Sequence, residues 1–253
     1  MNKFLPASLA LFLVLFTGCE KSISHATRDT ALMNLHGNVV QMNQKDYSAS
    51  KDKDDNFKFG ELQGSVEYTF NTEGMIISEK HLDAAGNATE EVRQDYKNSS
   101  KQTVMTTPEG TVTTTRDLNA GTMQQVYRDN DGTLTKTVQL KINKKALPLQ
   151  ATVLDPNGQV LEETLWERDV RGNVTSVTHK RDGAITSSKT YVLNKMGDPS
   201  QEVETNATDT IATRSYLYNY DQKGNWTRRV IRHMEKSSRN PRHTISERSY
   251  SYN

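Results

Sequence analysis

Glycine returns along this chain at a nearly regular interval. From Gly74 the series runs through Gly86, Gly110, Gly121, Gly132, Gly158, Gly172, Gly183, Gly197 and Gly224, mostly 11 to 14 residues apart and otherwise about twice that. Seven of these glycines follow an Asp or Asn by three positions, as in Asp83-Ala84-Ala85-Gly86, Asp169-Val170-Arg171-Gly172 and Asp221-Gln222-Lys223-Gly224. An Asx side chain opens a turn by bonding to backbone ahead of it, and glycine supplies the positive φ that returns the chain to a sheet. A turn at so short a period leaves room for strands and none for long helices, and its repetition signals a repeat architecture.

The segments between turns agree. Residues 65–70, 111–115, 134–138, 174–178 and 214–220 are rich in β-branched and aromatic residues and alternate in polarity, which is the pattern of a half-buried strand. Strands joined by turns of three to five residues are successive hairpins. The expectation is an all-β fold, an antiparallel β-meander of a dozen or more strands, as an open twisted sheet or a barrel-like sandwich. Hydrophobic residues make up only 34% of the chain, so sheets thinly covered on their faces suit it better than a thick core. Residues 48–56 and 236–242 read as polar loops, a short helical turn fits around Thr30 to Asn34, and no break divides residues 35–253 into two domains.

The same low apolar content makes the first 18 residues stand out. Lys3 precedes an apolar run from Phe4 to Phe16, too short for the ~20 residues of a membrane-spanning helix and shaped like a secretory signal. Thr17-Gly18-Cys19 follows, with the only cysteine of the chain, and then the charged Glu20 and Lys21. This resembles the lipobox of bacterial lipoproteins. The resemblance implies removal of residues 1–18 by cleavage between Gly18 and Cys19. Cys19 would then carry an S-diacylglycerol and an N-acyl chain such as palmitate, with residues 19–34 as a tether. Each buried methylene adds about 0.8 kcal/mol, so two or three chains anchor stably. Glu20 after the cysteine implies the inner leaflet of the outer membrane, with the inner membrane as the alternative. Loss of Lys3 leaves 31 basic residues against 31 acidic ones, a balance that argues against a nucleic-acid binder.

Catalytic and metal motifs are missing from the text of the chain. His25, His36, His81, His179, His233 and His243 have no zinc-ligand spacing. Asp129-Asn130-Asp131-Gly132 starts like a calcium loop but lacks the later ligands. No nucleophile elbow, phosphate loop or His-Glu-x-x-His is present, and adjacent carboxylates such as Glu162 and Glu163 fall on opposite strand faces. No cofactor is expected. A local excess of positive charge lies near the C terminus, where alternation places Trp226, Arg228, Val230 and Arg232 on one face and Arg229, Ile231 and His233 on the other. Two readings stand. The charges protect a sheet edge from aggregation, or Tyr218, Tyr220, Trp226, Arg228 and Arg232 form a patch for an acidic glycan, a phospholipid headgroup or a protein.

Tyr127-Arg128-Asp129-Asn130-Asp131-Gly132 and the run from Tyr218 through Asp221 and Gly224 to Trp226 resemble the YD repeats of Rhs-type proteins. Leu35-His36-Gly37-Asn38-Val39 and Glu247 to Tyr252 also resemble small bacterial lipoproteins of the uncharacterised YnfC type. In large Rhs proteins many such units wind into a shell around a toxin, and the number of units here is small for that. The resemblance implies a membrane-anchored envelope lipoprotein, a non-enzymatic binding or structural module whose partner is an envelope protein or glycan. The alternatives are an envelope enzyme with an unrecognised site, or an accessory or immunity partner of a secreted Rhs-type toxin.

Overall fold

The computed structural model describes residues 29–253 apart from 55, 96–101, 108, 118 and 146; Gly18, Cys19 and the signal segment lie outside the described residues. Among the described residues, a single turn of helix, α1 (Asp29–Leu32), precedes sixteen strands. These are β1 (Val39–Lys51), β2 (Phe57–Phe70), β3 (Ile76–Leu82), β4 (Ala88–Asp95), β5 (Gln102–Thr107), β6 (Gly110–Asp117), β7 (Thr122–Arg128) and β8 (Leu134–Ile142). They continue as β9 (Pro148–Leu154), β10 (Val160–Arg168), β11 (Val174–Arg181), β12 (Ala184–Leu193), β13 (Pro199–Thr205), β14 (Thr210–Tyr220), β15 (Trp226–Glu235) and β16 (Arg242–Tyr252). Each pairs antiparallel with the next, the all-β meander expected from the turns. The last strand then pairs with the first, from Val39 opposite Tyr252 to Ala49 opposite His243, and the sheet closes into a barrel. The closing pair decides between the open and the barrel-like form.

One turn design recurs around the ring. At Asp221 the Oδ1 oxygen accepts from the amides of Lys223 and Asn225 at 2.9 Å each, while Gly224 N donates to the Asp221 carbonyl. The same side-chain pair of bonds forms at Asn71, Asp83, Asp129, Asp155, Asp169 and Asn194. It also forms at Asn143, which has no glycine three residues on and was invisible to the glycine count. Satisfying two amides per turn from one side chain lets a strand reverse without burying unpaired backbone.

The segment from Asp29 to Gly37 runs over part of one mouth of the barrel, from the β2–β3 turn to the β12–β13 turn. Asp29 Oδ2 accepts from Ile76 N at 2.6 Å and Thr30 N donates to the Gly74 carbonyl. Further round, Asn34 Nδ2 donates to Asp198 at 3.2 Å, and His36 exchanges backbone bonds of 2.7 and 2.8 Å with the side chain of Asn225. Met33 and Leu35 are buried against Val39, Met42, Phe70 and Ile76, with Tyr68, Tyr250 and Tyr252 around them. Those contacts identify the Met42, Tyr68 and Tyr250 side of the sheet as its inside. A second apolar cluster, Val138, Ala151, Trp166, Val177 and Tyr191, lines the opposite arc.

The outer face is polar. Strand alternation from the inward residues puts Thr111, Thr113 and Thr115 of β6, Thr135, Thr137, Gln139 and Lys141 of β8, and Gln41, Asn43 and Lys45 of β1 outside. Outward apolar residues such as Leu217 and Val192 are scattered. The exception is where β1 and β2 outreach their neighbours. Register shifts at Tyr47 bend this long hairpin over β15 and β16, and Ile245 beneath it is fully buried.

Candidate functional site

A bulge decides which side chains enter the barrel. Asn219 pairs with Arg228 and Tyr220 with Trp226, so Thr227 is an extra residue in β15. Parity therefore changes between Trp226 and Arg228. Tyr216, Tyr218 and Tyr220 of β14 point inward together with Trp226, and so does Arg229, whose Cζ sits 4.8 Å from the Trp226 ring centre. Arg228, Val230 and Arg232 point outward. The five-residue patch expected from the sequence is thus divided by the wall: Tyr218, Tyr220 and Trp226 inside, Arg228 and Arg232 outside. The edge-protection reading is also corrected, because β15 and β16 are paired on both sides and present no edge.

Inside, two guanidinium groups and a phenol pack against Trp226. Arg248 Cζ stands 3.9 Å from the indole centre, and the Tyr218 ring meets it edge-on at 6.2 Å. Arg248 Nε donates to Gln44 Oε1 at 2.8 Å, and Arg229 Nη2 to Ser246 Oγ at 3.3 Å. Tyr250 OH donates to the Trp226 carbonyl at 2.7 Å, tying β16 to β15. Burial, reinforced by the like charge of Arg229, pushes the Arg248 guanidinium down, while burial pushes the phenols of Tyr218 and Tyr68 up and that of Tyr250 up to about 12.

The neighbouring charges, by contrast, are matched. Glu202, almost fully buried, is ion-paired with Arg214 and accepts from Tyr216 OH at 2.6 Å; Arg214 also donates to Glu204 at 2.9 Å. Lys189 approaches both carboxylates at 3.8 and 4.0 Å. Asp198 accepts from Tyr220 OH at 2.7 Å, and Glu79 bonds His81 Nε2 at 2.7 Å, which raises the imidazole's affinity for a proton.

The outward residues form a different place. Arg228 donates to the Phe57 carbonyl and covers the Phe59 ring at 4.9 Å. Beside them a groove of about 360 Å³ is lined by Lys51, Phe57, Leu217, Val230, Arg232 and His243. Elsewhere, Glu162 pairs with Arg181 while Glu163 accepts from Gln150 at 3.0 Å, so the adjacent carboxylates serve separate partners. Asp129 Oδ1 is committed to two backbone amides of its own turn. Among the described residues, no three His, Cys, Asp or Glu side chains gather as a metal site would require.

Neither a protein-family model nor a curated protein matches this chain. Among solved structures it is similar to a porin-like protein from Bacteroides uniformis, with a TM-score of 0.58 and 13% identity over 84% of this chain and 98% of that one. At that identity the likeness is one of fold. A porin-like protein from Bacteroides vulgatus (TM-score 0.26, 14% identity, 85% of this chain and 98% of that one) also aligns. So does the Tc holotoxin pore of Photorhabdus luminescens (TM-score 0.25, 14% identity, 85% of this chain and 12% of that one). Neither of these two scores establishes a shared fold.

Proposed function

We propose that this protein is a bacterial envelope lipoprotein, held at the membrane by acylated Cys19, whose barrel binds a ligand and does not span the bilayer. The observation that carries the reading is the polar outer wall. A membrane barrel needs strands of about 9–11 residues and an outward apolar band about 25 Å tall. Here β5 has 6 residues and β3, β7, β9 and β13 have 7 each, with threonine, glutamine and lysine facing out. Lysine or arginine on a lipid-facing midplane costs about 2–4 kcal/mol each. Aromatic and charged side chains turned inward suit recognition.

Fractionation of cells carrying Cys19→Ala tests anchoring and non-spanning together. The lipidated wild type is expected in the membrane fraction and the variant in the soluble one. A variant lacking residues 1–18 that stays membrane-embedded after alkaline wash would mean that the barrel itself crosses the bilayer.

A further inference from the structure

We propose that Arg229 and Arg248 form an oxyanion-binding site inside the barrel, taking the carboxylate or phosphate of a small sugar-like ligand beside Trp226. Both guanidinium groups lie over the same indole, at 4.8 and 3.9 Å, so their central carbons are within 8.7 Å of each other. Their hydrogen-bond partners are neutral: Gln44 and the Tyr250 phenol for Arg248, Ser246 and the Tyr218 phenol for Arg229. No carboxylate among the described residues forms a salt bridge with either, and Arg229 Nε is buried with no acceptor. One strand away, Arg214 has two carboxylates within reach. The wall therefore gives one inward arginine two carboxylates and leaves Arg229 and Arg248, both against Trp226, without one, an arrangement that favours an incoming anion.

The chemistry of the pair selects the ligand. Guanidinium forks bind planar or tetrahedral oxyanions through paired bonds of about 2.8 Å, and one such group between two forks can engage both. The indole behind them holds the cations in place by cation–π attraction. Tyr216 and Tyr218, nearly parallel with centres 6.3 Å apart, extend the surface with ring faces and hydroxyls suited to a polyol. Solvent reaches this interior, since Lys189 and Arg214 keep 28% and 23% of their side-chain surface exposed.

The site deepens the binding reading above and is tested apart from it, because anchoring is measured on Cys19 and owes nothing to these arginines. Calorimetric titration of the detergent-solubilised full chain with glucuronate, glucose 6-phosphate and glucose is the experiment. Saturable binding of one or both anions, with glucose silent, is expected, and the anion that binds identifies the oxyanion. Arg229→Gln and Arg248→Gln should each weaken it at least tenfold. Without ligand, both variants should melt at or above the wild-type temperature, because a like-charge repulsion is gone. Binding of glucose equal to that of the anions, no binding of either anion, unchanged affinity in the variants, or a lower melting temperature for both would each overturn the site.

Discussion

Asn225 is almost wholly buried, yet its side chain is fully used. It accepts from His36 N and donates to the His36 carbonyl and to Tyr252 OH, joining the N-terminal segment to both ends of the barrel wall. His81 holds a comparable role for charge. Its proton is held by the Glu79 carboxylate, so its pKa is raised above the ordinary imidazole value. A raised base stabilises the fold fully below the unfolded pKa of about 6.5 and loses that contribution as pH climbs through the folded pKa. His179, His233 and His243 are shifted downward, chiefly by burial, and so weaken the fold as pH falls below about 6.5. Urea unfolding at pH 5.5 and pH 8.5 should therefore show His81→Gln losing stability mainly at the lower pH. An equal loss at both would remove the ion pair as the cause.

Among elements, the Asx turns show how one local design meets two environments. Gly86 and Gly224 have φ of 85° and 90°, which costs an L-residue about 1–2 kcal/mol. A Cβ on Gly86 would meet nothing within 4 Å, whereas on Gly224 it would meet Met196 Cε at 3.0 Å and His36 Cδ2 at 3.5 Å. Gly224→Ala is thus expected to exceed Gly86→Ala in destabilisation, by roughly 1 kcal/mol of overpacking, in paired denaturant melts. Equal losses would mean that the Gly224 turn does not press on the N-terminal segment. These turns were legible because Asx and glycine act within five residues. The bulge at Thr227 was not. No residue type marks it, and it turns Trp226 inward only because Tyr220 across the ladder takes it as a partner.

At the scale of the whole molecule, closure is the decisive event. Left unpaired, β1 and β16 would be two long edges open to aggregation; joined, they leave none. Asn43 faces Ser249 across this seam. In a Cys19→Ala background, Asn43→Cys with Ser249→Cys should oxidise to an intramolecular disulfide and raise the melting temperature, read by non-reducing gel and thermal scan. Failure of the cysteines to pair under mild oxidant, with the fold intact by circular dichroism, would argue that the ring is open. A polar outside, a mixed aromatic and charged inside, and one partly covered mouth all depend on that seam.

Local chemistry was sufficient for the sequence to determine the strands, their antiparallel order, the positions of most turns and the absence of a thick core, since each depends on neighbours a few residues apart. The helical turn near Thr30 was readable for the same reason. Tertiary structure alone decided that the meander closes, which side of each strand is the interior, and that the tyrosines and Arg228 are separated by the wall. Pairing residue 39 with residue 252 depends on curvature summed over sixteen strands, and the inside of a ring exists only once the ring has shut.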